Sequence, residues 1–170
     1  MDKSNLNMTL TTAEIWQLLE NVSDPEIPVL TVVDLGVIRE VKIHEDGLVE
    51  VVITPTYSGC PAMNTIEINI HATLQENGID PVKITTVLSP AWTTDWLTEN
   101  GRKKLEAYGI APPLDKSPDK DKLFAEDRKV PCPRCQSTNT RMISQFGSTA
   151  CKSLFQCNDC LEPFDYFKCH

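Results

Sequence analysis

Cys132-Pro133-Arg134-Cys135 and Cys157-Asn158-Asp159-Cys160 form two Cys-x-x-Cys knuckles with 21 residues between them. Four thiolates at that spacing are a ligand set for a tetrahedral metal centre, with zinc ahead of iron because structural four-cysteine sites are mostly zinc. A module of about 40 residues has too small a core to fold unaided, so the metal would supply its folding free energy. Cys151 and Cys169 are left over, to be read as packing residues, a redox pair or extra ligands. The seventh cysteine stands apart, in Thr54-Pro55-Thr56-Tyr57-Ser58-Gly59-Cys60-Pro61. Pro55 and Pro61 fix φ, Gly59 can take φ > 0, and Pro61 suits a first helical turn. Cys60 is thus expected at a helix N-terminus, where free N–H groups and the dipole lower a thiol pKa. The competing reading is a small, inert core cysteine.

The elements around these residues follow from periodicity. Thr11 or Thr12 caps a helix carrying Ile15, Leu18, Leu19 and Val22 on one face and ending near Ser23. Asp24-Pro25-Glu26-Ile27-Pro28 is a stiff acidic loop, by itself a helix stop with a solvated turn. Val29 to Val33 is apolar and β-branched until Asp34-Leu35-Gly36 interrupts it; Val37 to Ile43 and Leu48 to Ile53 then make a hairpin around Glu45-Asp46-Gly47. Asp34, a single acid in an apolar stretch, is a loop cap or points at the Cys60 turn. Ala62 to Asn77 reads as a helix with Met63, Ile66, Ile70 and Leu74 inward and Gly78 at C′. Glu67 and His71 are read as a surface pair on it. Val82 to Leu88 is a third strand. A loop with Trp92 and Trp96 as packing anchors leads into a helix over Leu97, Leu105 and Tyr108, broken at Asn100-Gly101 and ended by Gly109. Phe155, Phe164, Tyr166 and Phe167 would be the tail's core.

Charge divides the chain. Residues 1–110 hold 7 basic and 16 acidic residues, 111–130 hold 5 of each, and 131–170 hold 4 basic and 3 acidic, giving −8 in all. An acidic main domain argues against nucleic acid as a partner. No long apolar run and no signal pattern occur, so the expectation is a cytoplasmic protein with no membrane association, where cysteines mean metal or thiol chemistry rather than disulfides. The expected organisation is a domain over 1–110 that folds without the tail, a linker over 111–130 and a four-cysteine module over 131–170. There is no phosphate loop, His-Glu-x-x-His or Gly-x-Ser-x-Gly.

Asp24-Pro25-Glu26-Ile27-Pro28, Asp34-Leu35-Gly36 and the Thr54–Pro61 turn resemble the SufT-like domain of iron–sulfur assembly. With Pro90-Ala91-Trp92-Thr93-Thr94-Asp95-Trp96, Gly147-Ser148-Thr149-Ala150-Cys151-Lys152 and Glu162-Pro163-Phe164-Asp165-Tyr166-Phe167-Lys168-Cys169, nearly the whole chain resembles the PaaD family, accessory subunits of phenylacetyl-CoA epoxidase systems. The resemblance implies an α+β fold: a small SufT-like α/β domain with a sheet of three or more strands, followed by a zinc ribbon. It implies support of aerobic phenylacetate breakdown by maturing metal centres in a di-iron oxygenase and an iron–sulfur flavin reductase, with no catalysis of its own. It makes Cys60 the reactive thiol and a transient holder of iron or a cluster, with Asp24, Glu26, Asp34 and Thr56 as neighbours and a homodimer or partner supplying further ligands. Two other functions compete: a Cys60 hydrolase or thioesterase, for which His44, His71 and His170 are the available bases and no motif places any of them, and a rubredoxin-like electron carrier with iron in the tail.

Overall fold

The computed structural model describes residues 10–114 and 129–168, so Cys169, His170 and most of the expected linker lie outside the described residues. Helix α1 (Thr12–Leu19) begins at a capping box: the Thr11 hydroxyl accepts from the Glu14 N–H at 3.3 Å, and the Glu14 carboxylate accepts from the Thr11 N–H at 2.8 Å. Strands β1 (Ile38–Ile43) and β2 (Val49–Ile53) pair antiparallel, and β3 (Val82–Thr86) pairs parallel to β2, giving the order β1-β2-β3. A parallel pair needs a crossover, and helix α2 (Ala62–Glu76) supplies it, burying Met63, Ile66, Ile70 and Leu74. Those side chains meet Val49, Val51 and Ile53 of β2 and Ile15 and Leu19 of α1 in one core.

The Val29–Val33 run is not a strand. It makes turn bonds, Leu30 N–H to Ile27 O at 2.9 Å and Leu35 N–H to Thr31 O at 3.0 Å, and pairs only through a single bridge between Ser23 and Thr31, flanked by Val32 N–H to Val22 O at 2.9 Å and Asp24 N–H to Leu30 O at 2.8 Å. Gly36 has φ +67°, and a Cβ there would lie 2.2 Å from the Trp96 carbonyl oxygen, so only glycine fits. The helix after the tryptophan loop starts later than the sequence suggests. Thr94–Trp96 is one 3-10 turn, Leu97 and Thr98 are extended, and α3 (Glu99–Tyr108) is capped by the Thr98 hydroxyl, which accepts from the Gly101 N–H at 2.9 Å. Gly101 is therefore not a break. It lies inside α3, where a Cβ would come within 3.0 Å of the Asp34 carbonyl oxygen.

The tail is a sheet of β5 (Thr140–Ser144), β6 (Lys152–Cys157) and β7 (Pro163–Phe167), extended by the two-residue strand β4 (Ile110–Ala111) in the order β4-β7-β6-β5. Strand β4 runs parallel to β7, with Ile110 opposite Asp165 and Ala111 opposite Tyr166. The end of the first domain is thus a strand of the second. Phe155, Phe164 and Tyr166 pack together with Cys132, Cys157 and Val130. Phe167 faces the other way: with Cys151 it joins the core of the first domain, its ring edge-on to Trp92 at 6.2 Å. Among the described residues, three α-helices and two mixed sheets make an α+β protein.

Candidate functional site

The knuckle thiols converge. The Sγ atoms of Cys132, Cys135, Cys157 and Cys160 all lie within 4.8 Å of one another. Cys135 and Cys157 are 3.5 Å apart, and Cys132 and Cys160 are 3.7 Å apart. A tetrahedron with zinc–sulfur bonds of about 2.3 Å has sulfur–sulfur edges of about 3.8 Å, so the donor set fits the metal that the spacing implies. The Cys160 N–H points at Cys157 Sγ at 3.5 Å and, with the Asp159 N–H, pulls that thiol down to about 7. Asp159 holds the loop behind the first knuckle by accepting from Asn139 Nδ2 at 2.7 Å and from the Ser137 hydroxyl. A centre of this kind binds metal and needs no opening.

The second sulfur site lies on the seam between the two units. Cys60 is half-buried at the foot of α2, its backbone bonded to Tyr57 O and Met63 N at 3.3 Å each. The sequence favours a depressed pKa here, and the structure reverses that. Burial raises the thiol, the Ala62 N–H opposes, and the charges of Glu26 and Asp24 raise it again. One N–H of a helix start does not outweigh desolvation beside two carboxylates. Asp24 is buried and caps its own turn, accepting from the N–H groups of Glu26 at 2.8 Å and Ile27 at 2.7 Å; burial raises its carboxyl in spite of those bonds. The Pro25 ring fixes that turn, and Glu26 is left half-buried and facing the thiol.

Tyr57 hydrogen-bonds the Cys60 thiol, and its hydroxyl is pushed up to about 12 by burial and by the negative charge it faces from Cys60, Glu26 and Cys151. Thr56 is also in the turn, beside a cavity of about 170 Å³ lined by Thr54, Tyr57, Leu88, Ala91 and Trp92, where the Thr54 hydroxyl is buried without a hydrogen-bond partner.

Of the two places expected of Asp34, the structure gives it the loop cap. Its carboxylate is filled by Thr31, Thr98 Oγ1 at 3.2 Å, Asn100 Nδ2 at 2.9 Å and Lys104 Nζ at 2.5 Å. Burial would raise its pKa, but Lys104, Thr31 and Asn100 hold it below the usual carboxylate range. It clamps the 31–36 turn to α3, and the adjoining Leu35 carbonyl accepts from Trp92 Nε1 at 2.8 Å.

Spacing also leaves Cys151 unassigned. The turn between β5 and β6 carries it into the main core, where it is 5% exposed and its Sγ lies 3.4 Å from Glu26 Oε2. Burial pushes that thiol up to about 12 despite the Thr149 hydroxyl at 3.0 Å, and Glu26 adds to the rise. No spacing rule joins residues 125 apart; the only signal is the Gly147–Lys152 motif itself. His44 pairs with Glu50 at 3.2 Å on the hairpin, and His71 lines a groove of α2 with Glu67 and Ile68. Among the described residues no helix is long and apolar enough to cross a membrane.

The comparisons with known proteins divide at the same seam. A family model for iron-sulfur cluster assembly proteins matches residues 12–87, and one for the PaaD zinc beta ribbon domain matches residues 116–168. The chain is 50% identical over 157 residues to an Escherichia coli protein named as a 1,2-phenylacetyl-CoA epoxidase subunit, covering 92% of each. It is 36% identical to a Porphyromonas gingivalis Fe-S protein maturation auxiliary factor, over 56% of this chain and 90% of that one. A domain of unknown function from Bacillus anthracis superposes with a TM-score of 0.52 at 24% identity, over 55% of this chain and 89% of that one, and so shares its fold.

Proposed function

Because the chain belongs to the PaaD family of phenylacetyl-CoA epoxidase subunits, we propose that it is an accessory component of such a system, without catalysis of its own, that assembles or maintains iron or iron–sulfur centres in its partners during aerobic phenylacetate breakdown. The partners are the di-iron oxygenase and the iron–sulfur flavin reductase, in the cytoplasm. The name of the P. gingivalis relative supports the assembly role for the first domain.

The observation that carries the reading is the state of Cys60. Its thiol is half-buried at the foot of α2, and burial and the charges of Glu26 and Asp24 raise it. An arriving cation would offset the charges of Asp24 and Glu26 and favour the thiolate, although the burial remains. The site therefore exchanges a proton for a positively charged cargo and gives it up when that cargo finds more thiolates elsewhere. The four knuckle thiols do the opposite. They would hold zinc, which closes the ribbon and supplies its folding free energy, through Cys132, Cys135, Cys157 and Cys160.

The test is reconstitution. The oxygenase and reductase are expressed with the wild-type chain or with Cys60→Ser, then assayed for iron content and for turnover. The expected result is under-metallated client and a several-fold loss of turnover with the variant, its own zinc and fold unchanged. Full iron and full turnover with Cys60→Ser would remove Cys60 from the mechanism and leave a structural adaptor.

A further inference from the structure

We infer that the cavity beside the Cys60 turn is a socket for one neutral six-membered aromatic ring carrying a hydroxyl, the chemistry of a tyrosine side chain or of a free phenol. The socket stands on its own geometry. Only the naming of its partner as a client rests on the reading of Cys60 given above.

The floor of the socket is held before anything enters it. Thr54 directly follows β2, and its N–H donates to Val37 O at 2.9 Å. Trp92 is buried and fixed on two sides, by the bond from its Nε1 to Leu35 O at 2.8 Å and by the edge-on contact with Phe167 at 6.2 Å. Half-buried Tyr57 makes one wall, and the rim is Leu88, 64% exposed, with exposed Ala91. Side chains already in place lose little freedom when a ligand arrives. An apolar cavity of about 150 Å³ takes up benzene. The present cavity, of about 170 Å³, has room for one ring and not for two.

The lining selects the ring. It contains no charged residue, so an ionised ligand would lose its hydration there and meet no counter-charge. The polar requirement comes from Thr54. It is 1% exposed, and its hydroxyl has no hydrogen-bond partner among the described residues. Valine would continue the apolar run of β2 in the same shape without the cost of a lone buried hydroxyl. A hydroxyl at the tip of an entering ring both donates to and accepts from Thr54 Oγ1, while the body of the ring lies against Pro55, Trp92 and Leu88. With the polar group at the floor and the apolar groups at the rim, the ring enters hydroxyl first. That is the order in which a tyrosine on another chain would present itself. The wall and the thiol belong to one piece of chain, since the Cys60 N–H donates to Tyr57 O at 3.3 Å. A client tyrosine seated in the socket is therefore anchored beside Cys60.

The probes are p-cresol, which is the tyrosine ring alone, toluene, which lacks only the hydroxyl, and N-acetyltyrosinamide, which carries the ring on a backbone. Full-length protein is titrated with each, following the amide signals of Thr54, Tyr57 and Leu88 and the indole N–H of Trp92 by NMR. The wild type should bind p-cresol roughly five- to tenfold more tightly than toluene, the gain from one hydrogen bond. In Thr54→Val the two affinities should become equal, with a denaturation midpoint no lower than that of the wild type. Thr54→Ser, which keeps the hydroxyl, should keep the preference. Binding of N-acetyltyrosinamide alongside p-cresol assigns the socket to a side chain of a partner protein, and binding of p-cresol without it assigns the socket to a free phenol. Four results would each overturn the socket: no shift of these signals with p-cresol, equal binding of p-cresol and toluene by the wild type, an undiminished preference in Thr54→Val, or a lower midpoint in that variant. Reconstitution with Cys60→Ser is a separate measurement, so either reading can fail without the other.

Discussion

Around the knuckles four sulfurs face one another, with Cys135 and Cys157 at 3.5 Å, and backbone N–H groups aim at them. On the seam Cys60 and Cys151 lie near carboxylate charge instead, and burial raises both thiols. The same residue type thus does two jobs in one chain. Among the knuckle sulfurs the thiols act on one another: backbone N–H groups pull Cys157 down to about 7, while burial and the neighbouring cysteines push Cys135 up to about 12 in spite of the Ser137 N–H. Sulfur buried beside carboxylate holds its proton more firmly than a free thiol does. The chemistry is set by what the thiol faces, not by its spacing.

Breaking the cage should have the largest effect. Cys157→Ala, or chelation of the metal, is expected to unfold the ribbon at a cost on the order of 10 kcal/mol of metal-coupled folding. Elemental analysis should show about one zinc per wild-type chain and near none in the variant. A ribbon that stays folded without metal would end the distinction between a permanent and an exchangeable site.

Next comes removal of the ribbon. A chain ending at Ala111 is expected to fold cooperatively but to lose about 2–5 kcal/mol, because Trp92 and the core around Glu26 lose Phe167 and Cys151. Denaturant titration checks this, and an unfolded product would make the two sites parts of one cooperative unit. Asp34→Asn sharpens the comparison from below. It should destabilise by about 1–3 kcal/mol at neutral pH. Asp34 has a folded pKa below its unfolded value, so its contribution is present above about pH 4 and lost as pH falls through the folded value. The gap between variant and wild type should therefore close in acid, and a gap independent of pH would contradict the clamp. The smallest effect on stability is expected from Cys60→Ser, below about 0.5 kcal/mol, since the thiol is half-buried and the change nearly isosteric. A large loss of stability would make Cys60 a core cysteine after all.

Local signals read well where local chemistry decides. The capping box at Thr11, the hairpin around Gly47 and the inward stripe of α2 follow from caps, turns and period. The α2 N-terminus could be placed from Pro61, but the pKa of Cys60 could not, because desolvation comes from side chains distant in sequence. Val29–Val33 misleads since β-branched residues pack in a turn as well as in a strand when an aspartate supplies the bonds. Gly101 misleads for the opposite reason: its small size serves contact with Asp34, not a helix break. Cys151 and Phe167 were beyond reach because their partners, Glu26 and Trp92, lie across the seam.

The contact between Cys151 and Glu26 also orders events in time. Synthesis proceeds from the N-terminus at about 5–20 residues per second, so Glu26 and Cys60 leave the ribosome on the order of 5–20 s before Cys151 does. During that interval Glu26 is without its contact to the Cys151 sulfur. The seam forms after β6 and β7 have been made and paired, and β7 pairs in turn with β4 of the older half. The packing of Cys151 and Phe167 against the first domain is thereby postponed until translation has passed β7.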